Sequence, residues 1–121
     1  MKTILIIEDT QDILENLTEY FEINGFNIIG ACNGKVGIEL AEESGPDLII
    51  CDVLMPEMNG YQVLDKLLHM AKTDDIPFIF STSMSEKVSR EQALKLGADD
   101  YIVKPFDGDV LMEKIERLLA R

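Results

Sequence analysis

The sequence is poor in residues that cross-link a chain and has no segment long enough to cross a membrane. It contains only two cysteines, Cys32 and Cys51, and no tryptophan. Each cysteine lies at the end of an apolar run, and free buried cysteines are common in reducing compartments, so we expect both to be small core residues. No apolar run approaches the ~20 residues of a transmembrane helix, and the run after Thr3 is too short for a secretory signal. We therefore expect a cytoplasmic location.

Basic residues are also scarce. The 121 residues include 11 Lys and Arg against 23 Asp and Glu, for a formal net charge of −12. This charge repels the phosphates of nucleic acids and anionic lipids, so we expect neither nucleic acid nor a membrane surface to bind the chain directly. Hydrophobic residues make up 46% of the sequence, which is typical of globular proteins. The length is that of one domain, and we expect it to span residues 1–121.

Short apolar runs alternate with segments of helical periodicity along the chain. The apolar runs predict five strands buried on both faces, at residues 4–7, 27–32, 48–51, 78–81 and 101–103. Apolar residues at helical spacing predict a helix after each strand, and the fourth helix is indicated by Val88, Gln92, Ala93 and Leu96. Strict alternation of strands and helices predicts an α/β fold, a doubly wound five-stranded parallel sheet with helices on both faces.

Polar side chains follow four of the predicted strands. Glu8 and Asp9 come after the first strand and Asp52 after the third. Thr82 follows the fourth strand and Lys104 the fifth. Because ligands of doubly wound folds bind beyond the carboxyl ends of the strands, we expect these side chains to meet in one site.

Three carboxylates in one site repel one another, by about 3 kcal/mol per pair at ~5 Å and an effective dielectric near 20. Mg²⁺ offsets such repulsion, because it takes carboxylate oxygens as ligands and often recruits a phosphate. One carboxylate can then attack a phosphoryl group and form an aspartyl phosphate, while Lys104 and a hydroxyl stabilise the transferring oxygens. An alternative is that acidic residues gather at strand ends and helix N-termini, where the helix dipole favours them. This explains Glu8 and Asp9 as well as a metal site does, but it does not explain the two together with Asp52, Thr82 and Lys104.

Four segments of the sequence carry a family resemblance. They are IIED at 6–9, DLIICDVLMPEMNG at 47–60, PFIFSTS at 77–83 and GADDYIVKPF at 97–106. With these segments, the chain resembles the response-regulator receiver domains of two-component signalling, the CheY-like family, over essentially its whole length. The resemblance implies a flavodoxin-like topology with strand order 2-1-3-4-5. It also implies a histidine kinase or histidine phosphotransfer protein as phosphoryl donor, and an output domain or target protein as downstream partner.

The resemblance further implies how the site binds its ligands. Asp52 would be the phospho-acceptor, and the Mg²⁺ ligands would be Asp9, Asp52 and the backbone carbonyl of Leu54. Glu8 would contribute directly or through water; many family members have Asp at this position, and the additional methylene of Glu8 moves its carboxylate outward.

The resemblance also implies that the domain changes conformation when it is phosphorylated. Lys104 would contact the phosphoryl group, Thr82 would move to hydrogen-bond it, and Tyr101 would change rotamer. The surface of the fourth helix, fifth strand and fifth helix would change with them. A cis peptide bond between Lys104 and Pro105 is also implied.

Three other functions fit the sequence less well. A flavodoxin-like redox protein would need amides and hydroxyls around a flavin phosphate, whereas Glu8, Asp9 and Asp12 would repel it. Mg²⁺ phosphohydrolases with an Asp nucleophile resemble one another in having a second acid two residues later, where this chain has Leu54. A receiver that works without phosphorylation conflicts with the intact Asp52 and its neighbours. The chain fits a complete single-domain regulator and the first domain of a longer protein equally well, and a phosphorylation-dependent dimer is compatible with either.

Overall fold

A parallel sheet between two layers of helices makes up the computed structural model, which describes residues 1–83 and 90–121. The strands are β1 (Thr3–Ile7), β2 (Asn27–Ala31), β3 (Leu48–Asp52), β4 (Phe78–Ser83) and β5 (Asp100–Lys104). The helices are α1 (Gln11–Ile23), α2 (Gly34–Ser44), α3 (Gly60–Leu68), α4 (Arg90–Lys95) and α5 (Gly108–Leu119). Val88, part of the evidence for the fourth helix, lies outside the described residues.

The strands are ordered β2-β1-β3-β4-β5, and every neighbouring pair is parallel. The predicted α/β class and the strand order 2-1-3-4-5 are therefore confirmed. None of the helices in the described part of the chain is long and apolar enough to cross a membrane.

The two faces of the sheet bury different side chains, because successive residues of a strand point to opposite faces. One face packs against α2 and α3 and includes Leu5, Ile7, Cys51, Phe78 and Phe80. The other packs against α1 and α5 and includes Ile4, Ile6, Ile50, Ile79 and Ile102. Full burial of such a side chain contributes about 1.5–3 kcal/mol, so the two apolar layers hold the strand ends in fixed register.

The expectation of complete burial is wrong for β2 and for one cysteine. β2 lies at the edge of the sheet and pairs only with β1, so Asn27 and Gly30 are exposed and Ile28 is half-buried. Cys32 follows this edge strand and is exposed, whereas Cys51 lies on central β3 and is buried. An apolar run alone does not reveal whether its strand has one neighbour or two.

The loop from β3 to α3 is shaped by a helix cap and by a close backbone approach. The Asn59 side chain accepts a hydrogen bond from Gln62 N, and the Gln62 side chain accepts one from Asn59 N, which fixes the first turn of α3. A Cβ on Gly60 would collide with the backbone carbonyl oxygen of Asp52 and lie 3.0 Å from Val53 Cα. Glycine at this position therefore lets α3 begin directly against the end of β3.

We expect Gly60→Ala to lower the free energy of unfolding by about 1–3 kcal/mol, because rigid backbone must move to admit the methyl group. The matched control is Gly30→Ala on β2, where the added Cβ would meet only flexible side-chain atoms of Leu14, the nearest at 3.3 Å. Urea unfolding of the wild type and both variants measures the effect. Equal losses in the two variants would contradict the role given to the approach of Gly60 to β3.

Candidate functional site

The carboxyl ends of three strands are joined by one ammonium group. Lys104, the last residue of β5, places Nζ 2.8 Å from Glu8 Oε1 and 3.2 Å from Asp52 Oδ1. Glu8 directly follows β1, and Asp52 is the last residue of β3. The structure thus brings together three of the residues expected to form the site, although 96 and 52 positions separate Lys104 from its two partners.

Glu8 is oriented by two contacts. Its side chain is 2% exposed, and while Oε1 accepts from Lys104, Oε2 accepts from the backbone N–H of Thr10 at 3.1 Å. The second bond folds the side chain back over the start of the β1–α1 loop. Glutamate therefore places a carboxylate inside the site despite its additional methylene.

Asp9 completes a cluster of three carboxylates. One oxygen from each of Glu8, Asp9 and Asp52 lies within 4.8 Å of the others. Within residues 1–83 and 90–121, this is the only group of three or more His, Cys, Asp or Glu side chains with a spacing suited to a metal ion. Carboxylate oxygens are hard ligands that suit Mg²⁺, so the residues present fit that ion. Leu54, two positions beyond Asp52, lies in the β3–α3 loop with its side chain 62% exposed.

Burial makes the negative charge of Asp52 unfavourable. The pKa of Asp52 is raised to about 7, because burial and, to a smaller extent, the charge of Glu8 raise it more than Lys104 lowers it. Burial lowers the pKa of Lys104, but its hydrogen bonds and ion pairs with Glu8 and Asp52 outweigh burial and raise that pKa overall. The site therefore combines a firmly protonated ammonium with a carboxylate whose charge is only partly compensated.

The two residues expected to switch lie on the opposite face of the sheet from Asp52. Thr82 follows Phe80 by two positions on β4 and is 1% exposed. Its Oγ1 donates to the Ile102 carbonyl at 3.5 Å, which is long for a hydrogen bond. Tyr101 is half-buried and packs on the cluster beneath α2 and α3. The peptide bond between Lys104 and Pro105 is cis.

Asp100 is a buried acid whose partners gave no local sequence signal. It is 1% exposed and accepts from Lys114 Nζ at 3.0 Å and Arg117 Nη2 at 3.1 Å, both on α5. These partners are 14 and 17 residues away, beyond any helical or strand spacing. The ion pairs attach the start of β5 to α5. The buried Ser81 on β4 is a second side chain whose surroundings the sequence did not reveal.

Comparison with known proteins assigns the chain to a family. The sequence-family model of the response regulator receiver domain matches residues 4–116. The response regulator SaeR of Staphylococcus aureus strain USA300 is 37% identical over 121 residues, which are 100% of this chain and 52% of SaeR. The chain thus spans about half the length of the curated relatives it matches.

Two solved structures are close in both fold and length. A receiver domain of a signal transduction histidine kinase from Syntrophus aciditrophicus has a TM-score of 0.89 and 37% identity, covering 99% of this chain and 91% of that one. A response regulator receiver domain protein from Clostridium thermocellum has a TM-score of 0.92 and 27% identity, covering 100% and 96%. The chain belongs to the response regulator receiver domain family, the phospho-accepting signalling modules of two-component systems.

The carboxylate cluster predicts that a divalent cation stabilises the fold. Mg²⁺ at about 100 times its Kd should add about 2.7 kcal/mol to the free energy of unfolding if it binds only the folded chain. Asp52→Asn should raise the metal-free melting temperature, because a costly buried charge is removed while Lys104 keeps Glu8 as a partner. The same variant should respond less to Mg²⁺.

Thermal melts with Mg²⁺ and with a chelator measure both effects. The matched control is Asp65→Asn, since Asp65 is exposed on α3 and lies outside the cluster. It should retain the full response to Mg²⁺. A wild-type midpoint that does not change with Mg²⁺ would argue against a shared metal site.

Proposed function

We propose that Asp52 accepts a phosphoryl group from a phosphohistidine donor. The observation that carries the proposal is the Lys104 ammonium, held between the carboxylates of Glu8 and Asp52 at the carboxyl edge of the sheet. It supplies a fixed positive charge beside the nucleophile, where charge on transferring oxygens needs compensation. The burial and orientation of these groups support phosphoryl transfer more than a diffuse acidic surface.

The reaction exchanges one bond to phosphorus for another. A carboxylate oxygen of Asp52 attacks the phosphorus, the bond from phosphorus to the histidine nitrogen breaks, and an acyl phosphate forms. The histidine nitrogen leaves with the bonding electron pair and takes a proton from solvent. Lys104 then donates to the phosphoryl oxygens instead of to Asp52. Loss of the group by hydrolysis returns the carboxylate, so both half-reactions belong to the signalling cycle.

We further propose Glu8, Asp9, Asp52 and the backbone carbonyl of Leu54 as the groups that hold Mg²⁺. When bound, the ion supplies positive charge that offsets the carboxylates and the phosphoryl oxygens. The donors are hard oxygens within 4.8 Å of one another in the three side chains, which supports this ion over a softer metal. Leu54 in place of a second acid supports a signalling role over phosphate-ester hydrolysis.

The partners follow from this chemistry. A histidine kinase or histidine phosphotransfer protein would supply the phosphoryl group. An output domain or separate target would bind the face made by α4, β5 and α5, with the whole of residues 1–121 acting as one receiver domain. The net charge of −12 supports a protein partner over direct contact with nucleic acid.

Labelling by acetyl phosphate tests the acceptor. In the presence of Mg²⁺, the chain should gain the mass of one phosphoryl group, and Asp52→Asn should gain none, because the nucleophilic oxygen is replaced. Intact mass spectrometry measures the gain, with Asp65→Asn as the matched exposed control. Equal labelling of wild type and Asp52→Asn would refute the assignment.

Switching is expected to run through Thr82 and Tyr101. A beryllofluoride mimic of the phosphoryl group should shift backbone amide resonances of residues 90–106, because Thr82 moves to the mimic and Tyr101 follows into the released space. Thr82→Ala should still accept a phosphoryl group from acetyl phosphate, but the resonance shifts should shrink. Shifts confined to the loops around Asp9 and Asp52 would contradict this coupling.

A further inference from the structure

Ser81 is a buried hydroxyl without a hydrogen-bond partner among the residues that the structure describes. Its side chain is 2% exposed, and no other buried side-chain nitrogen or oxygen in the described part of the chain lacks a partner. A buried hydroxyl that forms no bond has lost its hydrogen bonds to water without replacement. Such a group in a native structure calls for an explanation.

The register of the sheet places Ser81 beside Asp52. Ser81 on β4 pairs with Asp52 on β3 and with Ile102 on β5. Ile79 and Ile50, two positions before Ser81 and Asp52, both belong to the cluster beneath α1 and α5. Because side chains alternate along a strand, Ser81 and Asp52 point to this same face from strands about 5 Å apart.

Lys104 reaches the site over the same face. It lies two positions beyond Ile102 on β5, and its ammonium contacts Asp52 on β3, so its side chain crosses β4 on the face of Ser81. Ser83 lies two positions further along the same face and pairs with Lys104. The charged groups that the register brings to the Ser81 hydroxyl are therefore the Asp52 carboxylate and the Lys104 ammonium. In the present state these two groups bond to each other and leave Ser81 out.

Phosphorylation would change this arrangement. Under the proposed function, on which this inference rests, Lys104 turns from Asp52 Oδ1 to the phosphoryl oxygens. Asp52 Oδ1 then loses its hydrogen-bond donor, while the neighbouring Ser81 hydroxyl still lacks a hydrogen-bond acceptor. We propose that Ser81 is a positioning residue of the phosphorylated state, in which its hydroxyl donates a hydrogen bond to the side-chain oxygen of Asp52 that Lys104 has left.

The hydroxyl then favours the phosphorylated state, because its hydrogen bond is absent before phosphorylation and present after it. One hydrogen bond gained only in that state corresponds to about a fivefold change in affinity for a phosphoryl group. Ser81→Ala removes one oxygen that forms no bond in the resting fold. It should therefore leave the resting fold as stable as wild type or more stable, while weakening the response to phosphorylation.

The experiment titrates beryllofluoride at saturating Mg²⁺ and follows the bound mimic by fluorine NMR. Ser81→Ala should raise the apparent Kd for beryllofluoride about fivefold, without a lower melting temperature in the absence of the mimic. Ser81→Thr keeps the hydroxyl and should recover most of the affinity. The matched control is Thr73→Val, because the Thr73 hydroxyl is equally buried but already donates to the Leu67 carbonyl at 2.7 Å. Thr73→Val should melt lower and bind beryllofluoride like wild type.

The outcomes separate this inference from the proposed function. If Ser81→Ala binds beryllofluoride as tightly as wild type, Ser81 has no role in the phosphorylated state. If Thr73→Val loses the same affinity, the effect follows stability and the inference also fails. If the wild type neither binds beryllofluoride nor is labelled by acetyl phosphate, the proposed function itself falls and the inference with it.

Discussion

The bond from Lys104 to both Glu8 and Asp52 is the interaction on which the site depends. Two buried carboxylates at one edge of a sheet repel each other strongly unless a positive charge lies between them. The chain has few cations for its 23 acids, and it holds one of them in a largely buried position for this purpose. The ion pairs require β1, β3 and β5 to end at the same level, so the parallel register of the whole sheet is a condition for the site.

The two faces of the sheet carry different parts of the proposed function. Asp52, Lys104 and Ser81 belong to the face that packs on α1 and α5. Thr82 and Tyr101 belong to the face of Phe80, beneath α2 and α3. A group attached at the carboxyl edge of the sheet is accessible from both faces. Under the proposed function, a change of charge at this edge on one face would change the packing on the other face, above the apolar layers.

Most of the fold could be predicted because two central strands, β1 and β3, each contain four consecutive apolar residues. Ile4–Ile7 and Leu48–Cys51 are buried on both faces, and such runs in alternation with helices are typical of a parallel sheet covered by helices. Because the carboxyl ends of parallel strands share one edge, the sequence then predicts that Glu8, Asp9, Asp52, Thr82 and Lys104 lie there. The exposed β2 and Cys32 could not be foreseen, because the apolar content of a strand does not specify how many neighbours it has.

The features that sequence reasoning missed depend on distant partners. Asp100 is paired with Lys114 and Arg117 across the β5–α5 connection, and no local spacing signals that bond. Ser81 appears in the sequence as one hydroxyl in a run of three. Alternation along the strand turns it away from Thr82, but only the register shows that it lies beside Asp52. Long-range polar contacts are properties of the assembled sheet, whereas apolar periodicity is local.

Strand β5, which carries Tyr101 and ends at Lys104, is anchored at its start. Asp100 attaches the start of β5 to α5, and its Oδ1 also accepts from the backbone N–H of Tyr101 at 2.8 Å. The backbone of Tyr101 is therefore held while its half-buried ring retains a solvent-facing side. Because these bonds hold the start of β5, they oppose sliding of the strand along the sheet. Under the proposed switch, a change at Lys104 is then met by side chains, and rotation of the Tyr101 ring is a response of that kind.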